Sequence, residues 1–119
     1  MKPSLILRIA ACFGAILFLS ACSQRQAYMT KAASVDEAIE SSQVIPSVSE
    51  KTNYLLSQAR LFYQSKDYEG ALVLSGYILE KIDKDSLQAR RIFEKAQQEL
   101  LKSAHKKLNE AMRELQRLR

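Results

Sequence analysis

The stretch that decides the fold is SEKTNYLLSQARLFYQSKDYEGALVLSGYILEKIDKDSLQARRIFEKAQQEL, residues 49–100. It contains no proline and only two glycines, and it is dominated by good helix formers such as Leu, Ala, Glu, Lys and Gln. Apolar side chains recur at three- and four-residue spacing, and no segment alternates apolar and polar residues as a strand does. The stretch therefore predicts an all-α fold.

Capping residues divide this stretch into three predicted helices. Each predicted helix begins directly after a Ser or Asp that can serve as its N-cap. Ser49 precedes a helix over residues 50–65, Asp67 precedes one over 68–82, and Asp85 precedes one that starts at 86. No helix breaker interrupts the third helix, so it can run about 33 residues, or roughly 50 Å. The predicted domain, residues 49–119, is a helical hairpin followed by one long C-terminal helix.

The hairpin resembles a tetratricopeptide repeat, a unit of about 34 residues. Leu55 and Phe62 match its large sites, and Ala59 and Ala71 match the small sites at which its two helices approach closely. The sequence departs from the pattern at the turn, where Lys66 replaces the usual glycine. It also departs at three further positions, where Ser75 stands at a large apolar site, Ile78 replaces the usual alanine and Asp83 replaces the usual proline. The resemblance implies an antiparallel helix pair that binds other proteins; the alternative is an unrelated helical hairpin.

The end of the long helix carries a heptad pattern. Its apolar residues follow a 3-4-3-4-3 spacing: Leu101, Ala104, Leu108, Ala111, Leu115 and Leu118. This is the a/d spacing of a left-handed coiled coil, but two of its three d positions are alanine, which makes a thin seam for a homodimer. Two interpretations stay open, because these six apolar residues can pack back on the chain's own helices or contact a partner.

Charge is distributed unevenly along the chain. Residues 22–85 carry 7 basic and 9 acidic side chains (7 − 9 = −2), whereas residues 86–119 carry 9 basic and 4 acidic ones (9 − 4 = +5). A basic helix of this kind is commonly a solvated surface, and its functional alternative is attraction to anionic lipids, glycans or acidic proteins.

Four tyrosines cluster in the hairpin, and we interpret them first as packing residues. Their alternative role is to line a surface that receives a peptide. The candidate partner-binding residues are therefore Tyr54, Tyr63, Tyr77, Leu101, Leu108 and Leu115.

The first 22 residues differ from the rest of the chain. A basic start precedes an uncharged apolar run over residues 9–19, which is typical of a secretory signal and too short to cross a bilayer. The run ends in Leu19-Ser20-Ala21-Cys22, which resembles the lipobox of bacterial lipoprotein precursors. The resemblance implies cleavage between Ala21 and Cys22 and acyl chains such as palmitate on Cys22. The alternative is an ordinary signal peptide that happens to contain a cysteine.

Three segments follow from these patterns: a signal peptide over residues 1–21, a lipidated cysteine with a flexible tether over 22–48, and the helical domain over 49–119. Within the tether, Ser34-Val35-Asp36-Glu37 has the form of a capping box, and at most two marginal helical turns are expected there. Ser23 resembles the residue at this position in outer-membrane lipoproteins. If the source is Gram-negative, this implies an outer-membrane location facing the periplasm.

No pattern in the sequence indicates catalysis. His105 is the single histidine, and no glycine-rich phosphate loop or cluster of metal ligands accompanies it. We expect no enzyme, no metal, no cofactor besides the covalent lipid, no nucleic acid and no small-molecule substrate.

The expected function is that of a membrane-anchored interaction adaptor or assembly factor in the bacterial cell envelope. Its partner is expected to be another envelope protein or a second copy of the chain. The alternative is a structural lipoprotein that self-associates or contacts the cell wall or anionic glycans through its basic C-terminal helix.

Overall fold

The computed structural model describes residues 30–119. The predicted signal peptide, its cleavage position between Ala21 and Cys22, and the lipidation site Cys22 lie outside the described residues. Between residues 30 and 119 the chain forms four α-helices and one π-helical segment, and this part contains no strand: α1 Val35–Gln43, α2 Val48–Gln64, α3 Tyr68–Tyr77, the π-helical segment Ile78–Ile82, and α4 Leu87–Arg117. The all-α fold with a helical hairpin and a long C-terminal helix is thus confirmed.

A tight turn joins α2 to α3 and makes them a hairpin. The Asp67 amide donates to the Phe62 carbonyl at 2.9 Å and the Lys66 amide donates to the Tyr63 carbonyl at 3.0 Å, which is the pair of bonds that defines a Schellman motif. Lys66 has a φ of 65°. The Asp67 side chain then accepts from the Gly70 amide at 2.9 Å, so the predicted cap of α3 is confirmed.

The other two predicted caps were wrong by one or two residues. Helix α2 is capped by Ser47 rather than Ser49, because the Ser47 hydroxyl accepts from the Glu50 amide at 3.4 Å. Helix α4 is capped by Ser86 rather than Asp85. The Asp85 amide donates to the Asp83 side chain at 3.1 Å, which places Asp85 inside the preceding turn.

Helix α3 is shorter than predicted. It ends at Tyr77, and the hydrogen-bond register then widens, so that the Asp83 amide donates to the carbonyl of Ile78, five residues earlier, at 2.7 Å. Ile78 itself is fully buried. No residue type in this segment signals the change, which explains why helical periodicity alone predicted one helix through Ile82.

The prediction of a flexible tether through residue 48 was wrong for residues 32–43. Helix α1 has nine residues and packs against α2 and α3. It buries one face through Ala38 and Ser42, both fully inaccessible. The segment before the helix is held as well, because the Ala32 amide donates to the buried side-chain oxygen of Gln58 at 2.8 Å. The Ser34 cap of the predicted capping box is confirmed, because its hydroxyl accepts from the Glu37 amide at 3.1 Å. The contact with Gln58 lies 26 residues away along the chain, and no local pattern predicts it.

The core lies between the hairpin, α1 and the first half of α4. Ala59 and Ala71 are both fully buried. This is expected of small residues that let two helices approach each other closely. Ala89 and Ala96 serve the same purpose on α4, which packs mainly against α3. Ser75 occupies a core position at which a large apolar residue was expected, and its hydroxyl donates to the Ala71 carbonyl at 2.7 Å.

Candidate protein-docking surface

Helix α4 extends well beyond the domain against which it packs. Its last fully buried residue is Ala96, and Glu99 and Leu100 are half-buried. Every residue from Leu101 to Arg119 is exposed. The second half of the helix therefore contacts no other part of residues 30–119 that would bury it.

The heptad residues form an exposed apolar surface, which we call the stripe: Leu101, Ala104, Leu108, Ala111, Leu115 and Leu118. Its leucines have between 57% and 83% of their surface exposed. Met112, 52% exposed, lies beside them. The first of the two open interpretations is thereby excluded for the described residues, because the stripe does not fold back on helices α1 to α3. A continuous apolar surface of this kind commonly marks an interaction site.

The stripe and the residues by which α4 packs on the domain lie on different faces of the helix. The residues that pack inward, Ala89 and Ala96, are seven apart and lie on one side of the helix. The stripe begins five residues after Ala96, which is more than one helical turn and so shifts the apolar face around the axis. The helix thus uses one face for its own core and a different face further along.

Charged pairs stabilise the exposed half of the helix without covering the stripe. Lys102 donates to Glu99 at 3.0 Å, and Arg117 lies 3.5 Å from Glu114. The hydrogen bond to Glu99, together with the attraction of its negative charge, raises the pKa of Lys102. Both pairs join residues three apart, and the basic partner of each is open to solvent, so each contributes little to the stability of the helix.

The three candidate tyrosines lie in the packed domain and not on the exposed helix. Tyr54, Tyr63 and Tyr77 are half-buried against the core, and the Tyr63 ring meets Tyr68 edge to face at a centroid distance of 5.2 Å. Packing is therefore a role of all three. The structure does not bring them together with Leu101, Leu108 and Leu115 into one site.

Two grooves flank α4 within the domain, and each contains one of these tyrosines. The basic groove between α2 and α4 has a volume of about 430 Å³ and includes Tyr63, Arg60, Arg91 and Lys95. The apolar groove between α3 and α4 has a volume of about 610 Å³ and includes Tyr77, Val73, Gly76 and Phe93. Val73, 51% exposed, was missed by sequence reasoning; the broad apolar face of the second predicted helix was the signal that could have shown it.

The single histidine and the acidic side chains of residues 30–119 do not form a metal-binding cluster. His105 is exposed on α4, and no three His, Cys, Asp or Glu side chains of this part lie close enough to hold a metal ion. None of its helices combines the length and the apolar character needed to span a bilayer.

Comparisons of the chain with protein-family models, with curated proteins and with solved structures give no match. The function must therefore be argued from the chain itself.

Proposed function

We propose that this chain is a lipid-anchored interaction adaptor of the bacterial cell envelope. Acyl chains on Cys22 hold it on a membrane, which is the outer membrane if the source is Gram-negative. Helix α4 binds a partner protein through the stripe. In this proposal the chain has no catalytic activity and no cofactor other than the covalent lipid.

The observation that carries the proposal is the exposure of the stripe. An apolar face spanning 18 residues, or about 27 Å of helix, stays uncovered, whereas the first half of the same helix packs one face against α3. Leucines with the spacing of a coiled coil favour a helical partner. The side chains of a second helix leave gaps at the same spacing, into which the leucines can insert.

Support for the anchor comes from the lipobox-like Leu19-Ser20-Ala21-Cys22 and from its distance to the domain. Lys31, where the packed part begins, comes nine residues after Cys22. Nine residues reach at most about 32 Å, so an anchor at Cys22 keeps the domain close to the bilayer. Two or more acyl chains hold a protein stably on a membrane, whereas one chain does not.

One observation favours a second function, attachment of the exposed helix to the cell wall or to anionic glycans. Residues 101–119 carry six basic and two acidic side chains (6 − 2 = +4), and all of them are exposed. Binding by charge weakens as salt is added, whereas apolar docking does not. Salt dependence therefore separates the two functions.

The anchor is tested by Cys22→Ala in the full chain. We expect the parent chain to be cut before Cys22 and to carry the added mass of acyl chains, and the variant to show neither change, because alanine has no thiol to acylate. Mass spectrometry of the membrane fraction measures both effects. A parent chain of unmodified mass, or a variant with the same added mass, would show that Cys22 is not the lipid anchor.

The docking surface is tested by placing a photo-cross-linking residue on α4 of the full chain in cells. At Leu108, on the stripe, we expect a protein adduct of defined mass. At Lys106, on the opposite side of the helix, we expect none, and this position is the matched control. Equal labelling from both positions, or none from either, would contradict docking through the stripe.

A further inference from the structure

We infer that the stripe binds a second copy of this chain, with the two α4 helices antiparallel. This inference rests on the proposed function, since it names the partner of the same surface. It is carried by two features of the exposed helix: the order of large and small residues along the stripe, and the charges that flank it.

The first feature is the match of leucine to alanine. With Leu101, Leu108 and Leu115 at a positions and Ala104, Ala111 and Leu118 at d positions, a parallel dimer stacks each position on itself. Two of its six layers then contain only alanine, which leaves gaps where the helices should touch. In an antiparallel dimer each a position faces a d position instead.

One antiparallel register uses the whole stripe. In this register three kinds of pair form between the two copies: Leu101 faces Leu118 of the other copy, Ala104 faces Leu115, and Leu108 faces Ala111. The sum of the two residue numbers is 219 in every layer, so all six layers form at once, and each alanine is filled by a leucine. Large residues facing small ones pack to a higher density than small ones facing each other.

The second feature is the charge at the edge of the seam. Lys107 and Glu114 both occupy g positions, and in an antiparallel pair the g positions of the two helices face each other. The same register places Lys107 of each copy beside Glu114 of the other, which gives two equivalent ion pairs across the two-fold axis. In a parallel dimer Lys107 faces Met112 instead, and this attraction is absent.

The pairing is compatible with the contacts that these residues make in the single chain. Glu114 lies 3.5 Å from Arg117, but both side chains are more than two-thirds exposed, with relative surface areas of 68% and 79%. Their pair is therefore weak, and the Glu114 carboxylate can turn to a lysine of the second copy. Every stripe residue is exposed and available.

The dimer is expected to be weak and reversible. Two helices about 27 Å long bury on the order of 1,000 Å² between them, which is the lower end of specific interfaces. Confinement on a membrane compensates for this, because anchored copies share a thin layer and their effective concentration rises. A lipid anchor therefore allows even this short stripe to hold two copies together on a membrane.

The charge pairing is tested on the full-length chain purified in a mild detergent, by analytical ultracentrifugation over a range of protein concentrations. We expect Lys107→Glu and Glu114→Lys each to raise the dimer Kd about tenfold. The double variant restores two ion pairs with reversed sign, so its Kd should return to within about threefold of the parent value.

The matched controls are Lys106→Glu and Glu110→Lys, which change the net charge of the helix by the same amounts at positions outside the seam. They should change the Kd less than threefold. A parent chain that stays monomeric would overturn the inference. So would a double variant whose dimer Kd is as high as that of the more weakly dimerising single variant.

Orientation is tested with a photo-cross-linking residue at Leu118, in a mixture of copies with light and heavy nitrogen. We expect light-to-heavy adducts at the peptide that contains Leu101. Adducts at the Leu118 end would mean a parallel dimer and would overturn the inference. The cross-linking residue at Leu108 of the full chain in cells separates the two proposals. Adducts only to a different protein would overturn the dimer and leave the proposed adaptor function in place, whereas no adduct to any protein would overturn both.

Discussion

Lys66 ends helix α2 with a backbone conformation that favours glycine. Its φ of 65° belongs to the left-handed region, where a side chain costs roughly 1 kcal/mol. We expect Lys66→Gly to raise the free energy of unfolding by about 0.5–1 kcal/mol, measured by urea denaturation. Lys66→Ala retains the Cβ atom and should change the stability by less than about 0.5 kcal/mol. Equal stability of the two variants would contradict this account.

The two glycines of α3 should respond in opposite ways to alanine. A Cβ atom at Gly70 would overlap the Phe62 ring, with Cε1 only 2.9 Å away, whereas one at Gly76 would lie 3.5 Å from the Phe93 ring in ordinary contact. Gly70→Ala is expected to destabilise the domain by about 1–3 kcal/mol. Gly76→Ala should be neutral or stabilising by up to about 1 kcal/mol, because alanine favours helix.

Thermal unfolding followed by circular dichroism measures both glycine variants. Each serves as the control for the other, since the chemical change is the same. A similar loss of stability in the two would mean that helix geometry, and not the fit against the two phenylalanine rings, determines the effect.

Among the elements, α1 is held by the burial of Ala38 and Ser42 and, at its N-terminal end, by one buried amide side chain. Gln58 is 1% exposed and accepts from the Ala32 amide at 2.8 Å. Gln58→Ala leaves that donor without its acceptor and opens space in the core, so we expect a loss of about 1–3 kcal/mol. Amide exchange should accelerate over residues 32–43 and remain nearly unchanged in the part of α4 that packs against α3.

The matched control for this element is Gln64→Ala, an exposed glutamine on the same helix. It should leave both the stability and the exchange rates of α1 within error of the parent. If Gln58→Ala accelerated exchange equally in every helix, α1 would not be a separately held element but part of one cooperative core.

Sequence patterns predicted the individual helices better than they predicted the packing between them. The helical character of residues 49–119 and the Asp67 cap follow from local preferences, and both are confirmed. The widened turn at Ile78–Ile82 was not predicted, because no residue type in this segment signals it. The cap at Ser47 was not predicted, because Ser47 and Ser49 offer the same local signal.

At the scale of the whole molecule, charge and apolar surface compete on the same exposed helix. Residues 101–119 have a net charge of +4 (6 − 2), so two copies brought together repel each other. Salt screens this repulsion, with a Debye length of about 10 Å at 0.1 M. We expect the dimer Kd of the full chain to fall several-fold between 0.05 and 0.5 M NaCl.

The same salt titration tests the alternative function. Attachment of the exposed helix to anionic glycans or to the wall should weaken over this range. A dimer that dissociated as salt rose would contradict apolar docking and favour a charge-driven contact. The Lys107→Glu and Glu114→Lys double variant, which has the same net charge, should show the same salt dependence as the parent.

The sequence by itself determined the helical class, the long final helix and the six residues of the stripe, because each is recorded in local preference or in periodicity along one helix. Only the tertiary structure decided that α1 belongs to the domain and that the stripe is uncovered. Periodicity shows which residues share a face, but not what lies opposite that face. Contacts between distant residues decide this, such as the bond from Ala32 to Gln58, 26 residues apart.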